Sequence, residues 1–242
     1  MPNDITRRVT LAKVGQWWDT ATRRDFLRAA ALGGTAVLLP SVLAACGSDS
    51  MSDPTAPPAA SEGVTLDLST DAGVLNYAYA LEQLEAAYYT LVVQRFTGSG
   101  LSAAEQAVLA DIRNHEVIHR DFLAGILGSA KIPTLAVDFG AVNFADRVSV
   151  LTSAKTFEDA GVAAYNGAGK LLKDAANLLV AGKIVSVEAR HAAAVRDLLR
   201  SGTRDFAGDD VVDPTGLDQQ TEPGFILGGA AAFITTPIRV TS

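Results

Sequence analysis

Residues 82–119 read EQLEAAYYTLVVQRFTGSGLSAAEQAVLADIRNHEVIH, and residues 158–191 read EDAGVAAYNGAGKLLKDAANLLVAGKIVSVEARH. Each stretch opens on a glutamate, places a tyrosine seven residues later and closes on Glu-x-x-His. The first carries Glu82, Tyr89 and Glu116–His119; the second carries Glu158, Tyr165 and Glu188–His191. On a helix, residues at i and i+3 share a face, so each closing motif lets a carboxylate and an imidazole reach one ion together. Residues equidistant from the turn of an antiparallel hairpin lie level. The midpoint of 82 and 116 is residue 99, within Gly98-Ser99-Gly100, and the midpoint of 158 and 188 is residue 173, beside Asp174. Each hairpin therefore brings its two glutamates to one height. Four carboxylates and two histidines on inward faces would be prohibitive as unpaired buried charge, which points to metal.

The surrounding pattern is helical. Leu75, Tyr79, Leu81, Leu84 and Tyr88 recur at helical spacing and predict a helix from Asp71 to about Phe96. Ser102 with Glu105 three residues later forms a capping-box signature for a second helix, running to about Leu127 and stopped by Gly128. Residues 128–146, with Pro133 and Gly140, read as a long connection. A third helix is expected from about Val148 to Leu172, and a fourth from the N-cap Asp174 to about Leu199, stopped by Ser201-Gly202. The tail, 203–242, holds one short apolar segment, Phe225–Ile234, expected to pack across the helices. Hydrophobic residues make up 48% of the 242-residue chain and aromatic residues only 7%, a balance that favours helix over sheet. Hairpin, long connection, hairpin gives an all-α antiparallel four-helix bundle with one crossover, placed at residues 68–202.

Two helices bearing Glu-x-x-His and two bearing a further glutamate are the ligand pattern of ferritin-like di-iron and di-manganese bundles. Over roughly residues 68–200 the chain resembles the ferritin-like superfamily, which includes bacterioferritins and rubrerythrins, and within it the exported bacterial ferritin-like domain proteins. The resemblance implies two iron or manganese ions per chain. Glu82 and Glu158 would be terminal carboxylates, Glu116 and Glu188 would bridge, and His119 and His191 would each bind one ion. Oxygen-rich ligation with one imidazole per ion suits iron or manganese better than zinc or copper. Glu85 shares a face with Glu82 and competes for its role. The repeat favours Glu82, since only it has Tyr89 in register with Glu158 and Tyr165, which leaves Glu85 as a neighbour of the ligands or an alternate one. Tyr89, Tyr165 and His115 are read as further neighbours.

His115-Glu116-Val117-Ile118-His119 also matches His-Glu-x-x-His, the zinc-protease helix. His191 is the only other histidine, and it sits in the second Glu-x-x-His, which a protease does not require. Relatives of the resembled family oxidise ferrous iron, handle peroxide or oxidise organic substrates, so the expected activity is dioxygen, peroxide or ferrous-iron redox chemistry. Catalytic residues beyond the ligands are not legible. No rubredoxin-like cysteine motif supplies an electron donor, and a tethered domain with long flanks is a poor subunit for a storage shell. The alternative is a structural or accessory subunit of a membrane-associated complex with a vestigial site; a homo-oligomer is compatible with either.

The N-terminus reads as an address. Thr22-Arg23-Arg24-Asp25-Phe26-Leu27-Arg28 resembles a twin-arginine export signal, and the apolar stretch Ala29–Ala45 is shorter than a membrane span. It ends in Leu43-Ala44-Ala45-Cys46, which resembles a lipobox, and Cys46 is the chain's single cysteine. Trp17-Trp18 suits a membrane interface if the segment is retained as an anchor. Residues 1–46 are thus expected to export the chain and anchor it in the periplasm through a lipid on Cys46 or an uncleaved anchor. Residues 47–67 are expected to be a flexible tether. Residues 1–45 hold six Lys/Arg and three Asp/Glu, which leaves 14 basic and 24 acidic residues, a net −10, in residues 46–242. An acidic body without a basic stripe excludes nucleic acid as the expected partner.

Overall fold

The computed structural model describes residues 63–241. The expected export signal with Arg23 and Arg24, the expected lipidation site at Cys46 and the expected tether up to residue 62 lie outside the described residues. Four long helices follow the predicted order: α1 (Asp71–Gln94), α2 (Ala103–Leu127), α3 (Arg147–Gly169) and α4 (Ala175–Leu199). They form two hairpins, α1–α2 and α3–α4, with α1 packed on α3 and α2 on α4. The architecture is the expected all-α bundle with one long crossover.

The helix starts have the chemistry the sequence offered. Thr70 accepts from the Gly73 N–H at α1, and Asp146 and Asp174 cap α3 and α4. At α2 the full capping box is present: Ser102 Oγ accepts from the Glu105 N–H, and Glu105 Oε2 accepts from the Ser102 N–H. Gly128, at φ 54°, ends α2. Two ends fall short of expectation. The first helix stops at Gln94 rather than Phe96, and the third at Gly169 rather than Leu172. Leu171 and Leu172 instead form the turn into α4, whose backbone the Asp71 carboxylate holds by accepting from the Lys173 and Asp174 N–H groups at 2.8 and 2.9 Å.

Helix α1 is buried nearly all round, because the connection 128–146 covers the side that α2 and α3 leave open. The Asn76 amide donates to Ala130 O and accepts from the Ile132 N–H, and Gln83 Oε1 accepts from the Leu135 N–H. These bonds satisfy connection backbone that would otherwise be buried without partners.

Two elements correct the expected boundaries. Val64–Asp67, assigned above to the flexible tether, is a strand, β1, and the bundle proper opens at Asp71 rather than residue 68. It pairs in parallel with β2 (Ile238–Thr241), Val64 opposite Ile238. Burial of Val64 and Leu66 beneath the start of α1 explains why this short segment is ordered. Gly73 is required there, since a Cβ would lie 1.8 Å from Asp67 O. The tail packs on the helices as expected. Its helix α5 (Pro223–Ala230) lies on α3, and the Thr221 N–H donates to Ala163 O at 3.0 Å. Arg196 of α4 donates to Asp159 of α3 through Nε and Nη2 and to Asp210 of the tail through Nη1 and Nη2. No helix among the described residues is long and apolar enough to cross a membrane.

Candidate metal centre

Helix α1 delivers Glu82, α2 delivers Glu116 and His119, α3 delivers Glu158, and α4 delivers Glu188 and His191. All four glutamates are fully buried, and His119 and His191 are 9% and 5% exposed. They form two overlapping sets able to hold an ion, Glu82/Glu116/His119/Glu188 and Glu116/Glu158/Glu188/His191, with the ligand atoms of each set within 4.8 Å of one another. Glu116 and Glu188 belong to both sets. His119 Nδ1 lies 2.8 Å from Glu188 Oε1, and His191 Nδ1 lies 2.8 Å from Glu116 Oε1.

These close pairs lack hydrogen-bond geometry. Glu82 Oε2, Glu158 Oε2, both carboxylate oxygens of Glu116 and of Glu188, His119 Nδ1 and His191 Nδ1 are all buried without a hydrogen-bond partner. A native core leaves few such atoms unsatisfied, and eight aimed into one space fit cations rather than one another. The other oxygens of the outer pair are occupied. Tyr89 of α1 donates to Glu158 Oε1 at 2.5 Å, and Tyr165 of α3 donates to Glu82 Oε1 at 2.6 Å. Each hairpin's tyrosine thus holds the other hairpin's outer glutamate and leaves its Oε2 facing the centre.

The electrostatics follow from burial and crowding. Burial, countered in part by His119, raises the Glu82 carboxyl to about 7. Burial and then the other carboxylates raise Glu188 well above the usual range. Burial opposes charge on the histidines, but Glu116, Glu188 and Glu82 around His119 more than offset it and raise that imidazole to about 12. Glu116 and Glu158 likewise raise His191 to about 10 against its burial.

Glu85 is buried but belongs to neither set able to hold an ion, whereas Glu82 belongs to one. Burial and then Glu188, Glu116, Glu158 and Glu82 raise its carboxyl well above the usual range. His115 also lies outside both sets. Its Nδ1 is 2.9 Å from His191 Nε2, behind the ring and away from the carboxylates. That removes the zinc-protease reading, which needs His115 and His119 on one ion. One contributor escaped the sequence reading. Gly161 of α3 occupies the repeat position equivalent to Glu85, and a Cβ there would lie 3.0 Å from Glu85 Oε1. The register of the repeat, 82 with 158, carries this signal.

A helical bundle with carboxylate–histidine sets on facing helices that could hold a metal ion defines a class of helical metal-binding folds. Residues 70–201, more than half of the chain, match the family model for the ferritin-like domain, and the chain belongs to that family. No curated protein matches the chain.

Proposed function

We propose that this chain is an extracytoplasmic ferritin-like protein that holds two iron or manganese ions for dioxygen, peroxide or ferrous-iron redox chemistry. The observation that carries the reading is the set of eight buried, hydrogen-bond-free ligand atoms shared among six side chains. Glu116 and Glu188, common to both sets, would bridge; Glu82 with His119 and Glu158 with His191 would complete one ion each. Such a pair supplies one-electron redox steps with coordination positions open to a small oxidant. The protein's own part is orientation and dryness. Tyr89 and Tyr165 fix the outer carboxylates, and with His191 Nδ1 on an ion its Nε2 would carry the proton and donate to His115 Nδ1, 2.9 Å away. Export and membrane attachment through residues 22–46 belong to the same proposal and rest on the motifs there.

Metal analysis tests it. Protein produced aerobically with iron and manganese supplied is expected to retain about two ions per chain. Glu116→Ala and His191→Ala should each lose most of that metal while remaining helical by circular dichroism. A wild-type protein that is folded yet metal-free under those conditions would overturn the reading.

A further inference from the structure

The internal repeat is broken at one inward position. Glu82 matches Glu158 and Tyr89 matches Tyr165, but Glu85 is matched by Gly161. The missing side chain thins α3 and makes room for the Glu85 carboxylate: a Cβ there would lie 3.0 Å from Glu85 Oε1 and 3.5 Å from Glu188 Oε2. On the outer side of this thin wall lies a cavity of about 190 Å³ between α1, α3 and α5. Leu81, Leu84, Phe157, Ile226 and Phe233 line it, Glu85 and Gly161 are among its walls, and Glu85 is the only ionisable group lining it among the described residues. Phe225, also in its lining, is 79% exposed. The cavity therefore runs from the surface beneath α5 to a single layer of atoms over a shared carboxylate of the centre. Apolar cavities of about 150 Å³ take up small apolar molecules.

We propose that this cavity is the route by which dioxygen reaches the metal pair, with the Glu85 side chain seated against Gly161 as the thin point of the wall that dioxygen must pass. The inference rests on the metal-binding reading above. An apolar lining favours dioxygen, which loses no hydrogen bonds on entry, over hydrogen peroxide, which must shed its water. The tail acquires a purpose in the same step, because α5 forms the cavity's outer wall.

Two glycines of α5 provide the test. A Cβ at Gly229 or at Gly228 meets nothing within 4 Å, so the helix accepts a side chain at either. Gly229 lines the cavity, and Gly228 faces a separate surface groove. The first readout needs no metal: paramagnetic relaxation by dissolved dioxygen, measured on side-chain methyls of protein prepared without metal. Methyls of Leu81, Leu84 and Ile226 should relax several-fold more than those of Leu109 and Val195. Gly229→Leu should abolish that difference and Gly228→Leu should preserve it. The second readout is stopped-flow oxidation of the ferrous-loaded protein by dioxygen. Gly229→Leu should slow it at least tenfold at unchanged iron content, with Gly228→Leu within twofold of wild type. Uniform relaxation in the wild type, or wild-type oxidation in Gly229→Leu, overturns the route and leaves the metal centre standing. Failure of the wild type to retain iron overturns both, and the relaxation data then report only a gas-binding cavity.

Discussion

Tyr89 and Tyr165 do more than fill the core. Each is the donor that decides which oxygen of a buried glutamate is left for an ion. Tyr89→Phe removes the donor and leaves Glu158 Oε1 buried without a partner, which should destabilise the protein by about 1–3 kcal/mol in urea titrations. The same variant should weaken metal retention about 10- to 100-fold in competition with a chelator, since the carboxylate is free to turn. Charge makes a second prediction at this scale. His119 and His191, raised to about 12 and about 10, are protonated in the metal-free protein at neutral pH. Their folded values exceed the ordinary 6.5, so they stabilise the metal-free fold fully below that pH. That contribution is lost as pH rises through about 10 and then about 12. Loading must displace both protons and those held by the raised Glu188 and Glu82 carboxyls, so titration calorimetry at pH 7 in buffers of different ionisation enthalpy should show a net release of at least two protons per chain. Uptake of protons would contradict the arrangement.

At the scale of elements, the hairpins owe their register to their turns. The capping box at Ser102 and the Asp71 carboxylate at the α3–α4 turn hold the helix starts from which both ligand pairs are counted. Ser102→Ala should cost about 1 kcal/mol in chemical denaturation, with the transition midpoint lowered and its slope unchanged. These elements were legible because caps, glycines and helical periodicity are local signals. The level glutamates followed from counting alone. Strand β1 was not legible: its four residues, Val64–Asp67, adjoin a Pro/Ser/Ala-rich stretch, and their partner lies at the far end of the chain. Nor was the cavity, because it depends on where α5 settles on α3. The position of Gly161 opposite Glu85 was readable in the repeat and became meaningful only with the packing.

For the whole molecule, the tail is fastened as well as packed. Arg196 is 3% exposed and donates to both carboxylate oxygens of Asp159 at 2.7 Å and to those of Asp210 at 3.0 and 2.9 Å. Its hydrogen bonds hold the Asp210 carboxyl down at about 2, so the clip persists across the physiological range. Arg196→Leu should release the segment around Asp205–Val212, giving earlier cleavage there in limited proteolysis while circular dichroism keeps the four-helix signal. Equal cleavage in variant and wild type would show that α5 and the strand pair hold the tail unaided.

The Glu85–Gly161 mismatch also bears on how the two halves find each other. The crossed tyrosine–glutamate bonds are reciprocal, so in their absence of sidedness a hairpin could join a copy of itself as readily as its true partner. Two first hairpins would set Glu85 against Glu85, and two second hairpins would leave a hole at Gly161. Only the unlike pair gives a protrusion facing a recess. The same residue pair that thins the wall of the centre therefore disfavours the pairing of like hairpins and favours a first hairpin against a second.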